Sequence, residues 1–208
     1  MNALVYPKDL VVLTADKDAE FAIRGVLARP QALGIRVVSA DFFRHPEKDP
    51  GILFHARTFL QPFAASHAHA LVVMDREGCG QERRGREVLE AQIEGALRDT
   101  GWADRAAAVV PDPELEIWVW SDSPQVDTAL GWKGRQPDLR DWLRSSGYTQ
   151  DRLAKPGRPK EAMVHAMRVA GSPRSSAIYE QLALRVGLSR CQDAAFLRLR
   201  DTLRRWFA

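Results

Sequence analysis

Apolar and polar positions follow two different periods along the chain. Leu10–Asp16, "LVVLTAD", is a short continuous apolar run rich in β-branched residues, the pattern of a strand buried on both faces. The next segment, "DAEFAIRGVLARP", sets Phe21, Ile23, Val26 and Leu27 at near-helical spacing and is closed by Pro30. Ile35–Asp41, "IRVVSAD", predicts a second strand. Pro46 and Pro50 mark a loop that leads into a predicted helix, "GILFHARTFLQPFAAS". Ala70–Asp75, "ALVVMD", predicts a third strand. Arg83–Gly101 reads as an amphipathic helix, with Val88, Ile93 and Leu97 on one side and Gly101 at the stop position. Arg105–Pro113 predicts a fourth strand, broken by prolines.

Strands that alternate with helices predict an α/β fold with a mostly parallel sheet flanked by helices. Beyond Pro113 the rhythm turns helical. One segment holds Trp118 and Trp120, a short helix lies in "RQPDLRDWLRSSGY", and "AKPGRPK" has the look of a linker. Three helices are expected after it, Pro159–Val169, Ser175–Val186 and Gln192–Phe207. The last repeats Phe196, Leu199, Leu203 and Trp206 at helical spacing. The chain therefore divides into an α/β domain over 1–150 and a helical C-terminal appendage over 151–208.

A length of 208 residues fits one large domain, or one with a small appendage, and leaves room for a sizeable core. No run approaches the roughly 18 apolar residues of a membrane helix. No basic stretch precedes an apolar one at the N-terminus, so no signal peptide is read. Cys79 and Cys191 give neither a disulfide framework nor a paired metal motif. The expectation is a cytoplasmic protein without membrane contact. Charge is uneven: residues 151–208 carry 12 Lys/Arg against 5 Asp/Glu, and residues 1–150 carry 18 against 22. A basic segment on an acidic body favours phosphate backbones or acidic partners. A solvated, Arg-rich helical surface would give the same count.

In parallel sheets the chemistry sits at the carboxyl ends of the strands, and Asp16, Asp41 and Asp75 all fall at predicted strand ends. Three acidic clusters stand out. Asp16 and Glu20 are four apart, on one face of a helix starting there. Asp75 and Glu77 are two apart, on one side of an extended backbone. Glu114 and Glu116 follow in "PDPELEIW". Hard oxygen ligands suit Mg²⁺ or Mn²⁺, and carboxylates without a cation would repel one another. Each cluster also has a plain reading, as a helix cap, a first-turn acid or a solvated strand exit.

The stretches "VVLTADKDAEF", "ALVVMDRE" and "PDPELEIWVWSD" together resemble the TOPRIM fold of topoisomerase-primase domains. More narrowly they resemble small bacterial TOPRIM proteins of the RloB and overcoming-lysogenization-defect nuclease type, found in anti-phage defence systems. Asp16 falls where that family has Glu, Lys17 where it has Gly, and Glu20 at the second acid. Asp75 and Glu77 match its Asp-x-Asp, and Glu116 with Trp118 its Glu-x-Trp. The C-terminal "YEQLALRVGLSRCQDAAFLRLRDTLRRW" is similar to the family's helical tails. The resemblance implies a nuclease subunit in which Asp75, Glu77 and Glu116 hold Mg²⁺ or Mn²⁺. Asp16 and Glu20 would bind a second ion or orient the attacking water, and a basic residue near the metals, Lys155, Arg158 or, as the first choice, Lys160, would stabilise developing charge. DNA or RNA would be the substrate, and an ATPase or methyltransferase of the same system a partner. The rival expectation is a catalytically inactive TOPRIM-like assembly or recognition subunit. A primase-like or ligase-like nucleotidyl transferase ranks below both.

Other residues carry less. His67 and His69 could be a zinc pair but lack a partner at a known spacing. Cys79 is flanked by glycines and lacks an activating base. Arg83, Arg84 and Arg86 could grip a phosphate at a helix start. Large aromatics such as Trp118, Trp120, Trp132, Trp142 and Trp206 at helical spacing point first to core and second to base stacking.

Overall fold

In the computed structural model, residues 6–152 and 154–208 are described. Four strands, β1 (Lys8–Thr14), β2 (Ala40–Arg44), β3 (His67–Val73) and β4 (Ala106–Val109), form one sheet in the order β2-β1-β3-β4. Every pairing is parallel, with Leu13 of β1 opposite Phe43 and Val72, and Val72 of β3 opposite Ala108. Helices α1 (Lys17–Leu27), α2 (Pro30–Leu33), α3 (Lys48–Leu60) and α4 (Arg86–Leu97) connect the strands. After β4 come α5 (Pro124–Ala129), α6 (Leu139–Ser145), α7 (Pro159–Ala170), α8 (Ala177–Arg185) and α9 (Ala194–Phe207). The fold is thus α/β with a parallel sheet and a helical C-terminal portion. No helix among the described residues is long and apolar enough to cross a membrane.

The near-continuous apolar runs of β1 and β3 arise because both faces of the sheet are covered. Val11, Leu13, Ala70 and Val72 pack on Ile52, Leu60, Leu89 and Ile93 of α3 and α4. Leu10, Val12, Leu71 and Val73 pack on Ile23 of α1 and on Phe196, Leu199 and Leu203 of α9. The C-terminal segment is therefore a layer of the same core. A third cluster joins Trp120, Trp132, Leu143, Met163 and Tyr179 from α6, α7, α8 and the loops between, beside the carboxyl ends of the strands.

Three expectations are corrected. The second strand is Ala40–Arg44, so Asp41 lies at its beginning, not its end; there it meets Lys8 at 3.1 Å and His67 at 3.1 Å. "IRVV" is irregular, with Val37 79 % exposed, whereas "ADFFR" pairs with β1. On α4 the buried positions are Leu89, Glu90, Ile93 and Leu97, and Val88 faces solvent. Glu90 is tolerated inside because Arg86, Arg198 and the Val110 amide all reach it. His67 and His69 lie within β3; His67 bonds Asp41 and Ser66, and His69 stacks on Trp206.

Candidate metal centre

The sheet order places β1 and β3 side by side, with α1 leaving β1 on one face and α4 leaving β3 on the other. The crevice at such a switch of direction is where open α/β sheets bind ligands. The exit of β3 runs on beside the exit of β4. Met74, Arg76 and Glu77 donate their amides to Val109, Pro111 and Pro113 in turn. Gly78 and Gly80, both at φ +83, then turn the chain back, in a region side chains avoid. This pairing of loops carries Asp75 to Glu114 and Glu116.

Carboxylate oxygens of Asp75, Glu114 and Glu116 all lie within 4.8 Å of one another, a cluster able to hold a metal ion. Each is fixed from outside. Asp75 Oδ1 accepts from the Leu115 amide at 2.8 Å. Glu114 Oε1 accepts from the Lys160 amide, at the start of α7, at 2.9 Å. Glu116 Oε1 accepts from the Tyr179 hydroxyl at 2.7 Å. Glu116 Oε2 is buried without a hydrogen-bond partner among the described residues. A buried, unpaired carboxylate oxygen is costly unless something fills the position.

Electrostatics follow from the crowding. Burial, then the carboxylates of Asp49 and Glu116, push the Asp75 carboxyl well above the usual carboxylate range. Burial also raises Glu114, with Glu116 and Glu77 adding to it. Lys160 sits opposite, its Nζ 3.9 Å from Glu114 and 3.8 Å from Glu116. Burial works against its charge, but the surrounding acids outweigh that and hold Lys160 above its ordinary value. Arg174 reaches Glu116 at 3.9 Å and is anchored to Asp18 at 2.9 Å.

Of the acids expected to ligate, the structure brings Asp75 and Glu116 together, with Glu114 as the third. Glu77 is exposed at the rim of an adjoining cleft. The chain has already left β3 at Val73, so strand alternation no longer aims Glu77 with Asp75. Asp16 caps α1, accepting from the Ala19 amide at 2.9 Å, and lies near enough to act on Asp49 and Lys160. Glu20 turns to Arg24 at 2.8 Å and Arg44 at 3.2 Å. Lys160 stands at the cluster. Three residues escaped the sequence reading: Asp49, whose carboxylate accepts from the Asp75 amide at 2.8 Å, Arg174 and Tyr179. Cys79 is fully buried, and burial pushes its thiol up. Trp102, Trp120 and Trp132 are core residues.

The Tyr179 hydroxyl is the best test of this outer support. Tyr179→Phe is expected to lower metal affinity by about 10- to 100-fold, the usual loss when a group orienting a ligand is removed. Calorimetric titration of Mn²⁺ into both chains checks it; equal affinities would place Glu116 outside the centre.

The cleft beside the acids measures about 670 Å³ and is walled by α7, with Tyr148, Arg158, His165, Arg168 and Arg174 around it. A more apolar cavity of about 330 Å³ lies between α1, α8 and α9; it holds Trp118, Leu182 and Phe196 but none of the three acids. No protein-family model, no curated protein and no solved structure matches this chain.

Proposed function

We propose that this chain is a divalent-metal-dependent nuclease that cleaves phosphodiester bonds, with Asp75, Glu114 and Glu116 as the ligands. The observation that carries the reading is the buried Glu116 Oε2, unpaired and set among two further carboxylates. Oxygen-only donors favour Mg²⁺, Mn²⁺ or Ca²⁺ over softer metals. Mg²⁺ demands near-octahedral ligands at about 2.1 Å, which stand about 3 Å apart when adjacent, so the side chains would draw together to take it. Such an ion activates water and offsets charge on the phosphoryl oxygens.

The chain's own residues supply the rest. Asp75 would be a ligand, its charge offset by the ion rather than opposed by its neighbours. Lys160 and Arg174 place two cations beside the acids, where negative charge develops during displacement at phosphorus. Asp16, near enough to act on Asp49 and Lys160, would orient the attacking water. The resemblance to TOPRIM proteins of anti-phage systems supports a role as a defence subunit that works beside an ATPase or methyltransferase.

A second reading has its own observation. Lys160 and Arg174 already lie within 4 Å of Glu116, so the acids are partly neutralised without an ion. That arrangement suits an inactive assembly module. Mn²⁺ titration of the wild type, followed by incubation with supercoiled plasmid and with a single-stranded oligonucleotide, separates the two. Micromolar binding and cleavage that stops in EDTA are expected. Absence of binding would leave the assembly reading.

A further inference from the structure

We propose that the cleft beside the acids takes a single polynucleotide strand, gripped by its phosphates along α7, and excludes intact duplex. This rests on the phosphodiester reading above and deepens it.

Two features lead here. The first is depth. Glu116 is 1 % and Glu114 8 % exposed, so a scissile phosphate must descend to them. Duplex DNA holds its phosphates on stiff ridges, with a persistence length of about 150 base pairs, and cannot lower one phosphate alone. A single strand has the freedom to do so. The second is the wall. Arg158 opens α7, Lys160 is in its first turn and Arg168 in its last, with Arg174 just beyond. Arg158 and Arg168 are about 15 Å apart along the helix axis at 1.5 Å per residue, room for a few nucleotides. Glu161 pairs with Arg158 at 2.8 Å and Asp18 with Arg174, whereas Arg168 makes no ion pair among the described residues. Four cations, Arg158, Lys160, Arg168 and Arg174, line the cleft against three acids, Glu77, Glu114 and Glu161, and an ion held at Glu114 would widen the surplus that a phosphate backbone needs. Tyr148 adds a ring at the same wall, its hydroxyl 2.9 Å from His165 Nδ1 and the Arg158 guanidinium 6.0 Å from its centroid. Aromatic rings in such clefts stack bases of any sequence.

The test is fluorescence anisotropy on the full chain, with a labelled 15-mer of oligo-dT, the same length of oligo-U, and a 15-base-pair duplex. It is run in EDTA, in Ca²⁺, and with Asp75→Asn. Single strands are expected to bind at least tenfold tighter than duplex, and tighter in Ca²⁺ than in EDTA. The double variant Arg158→Glu, Arg168→Glu, at two exposed positions, should weaken strand binding more than tenfold. It should also flatten the dependence of log K on log salt by about 1.4, from about 0.7 per phosphate contact. Tyr148→Ala should cost roughly tenfold. Either strand type satisfies the proposal, and the two arms show whether DNA or RNA is preferred. Duplex bound as tightly as strand, or a double variant that binds like wild type with unchanged circular dichroism, overturns it. The two readings fail separately. Strand binding through Arg158 and Arg168 without Mn²⁺ affinity sinks the metal centre alone, and Mn²⁺-dependent cleavage with equal duplex binding sinks the strand preference alone.

Discussion

Asp75→Asn is expected to abolish divalent-ion binding and to lower metal-dependent cleavage by well over 100-fold, more than loss of an orienting neighbour costs. The same change should make the ion-free chain more stable. The amide is nearly isosteric and its oxygen can still accept from the Leu115 amide. What disappears is a buried carboxylate facing Asp49 and Glu116, the groups that raise its pKa after burial itself. The sign of the pH effect follows. A carboxyl whose folded pKa is raised contributes stability that is full below its unfolded value, about 4, and is lost as pH rises through the folded value. Asp49, Asp75 and Glu114 are all shifted upward, so what these three acids contribute to the ion-free wild type should fall as pH rises above about 4. Asp75→Asn should flatten that slope. Added Mn²⁺ should restore the wild type, by about 2.7 kcal/mol at 100 times Kd, and leave the variant unmoved. Thermal melts at pH 5 and pH 8, in EDTA and in Mn²⁺, read all of this together. A melting temperature that rises equally for both chains in Mn²⁺ would remove Asp75 from the centre.

Leu199→Ala should destabilise the whole protein by about 2–5 kcal/mol, in a single cooperative transition. Leu199 is fully buried between α9 and the β1–β3 face of the sheet, alongside Leu10, Val12, Leu71 and Val73. Truncating it leaves a cavity that flanking strands cannot close. Arg205→Ala, at an exposed position on the same helix, should stay within about 0.5 kcal/mol. Urea melts followed by fluorescence and circular dichroism make the comparison. Were α9 a detachable tail, Leu199→Ala would match Arg205→Ala, or melt α9 apart from the sheet.

How far the sequence carried depends on whether the deciding contact was local. β1, β3 and the helices of the C-terminal segment announce themselves through their own residues, because apolar runs and helical spacing record burial directly. β2 does not. "IRVV" looks more strand-like than "ADFFR", yet pairing with β1 selects the second. The candidate site shows the same division. Asp75 and Glu116 stand out beside strand exits, whereas Asp49 matters through its contact with Asp75, 26 residues away. Glu114 gains its place from the start of α7, 46 residues on. Glu77 sits at a spacing that would serve in a longer strand, but β3 ends before it. No periodicity in the chain contains that information.

The hydrogen bond from Tyr179 to Glu116 spans 63 residues of sequence, and the bond from Lys160 to Glu114 spans 46. A ribosome therefore delivers Glu114 and Glu116 well before the amide and the phenol that hold them. A nascent chain that has emerged only as far as α6 carries the carboxylates but neither the α7 amide nor the phenol that sets their directions. Assembly of the centre waits for α7 and α8, so a product arrested before them holds the acids in no working arrangement. For a protein proposed to cut nucleic acid, the order of synthesis itself delays the hazard until α8 has been made.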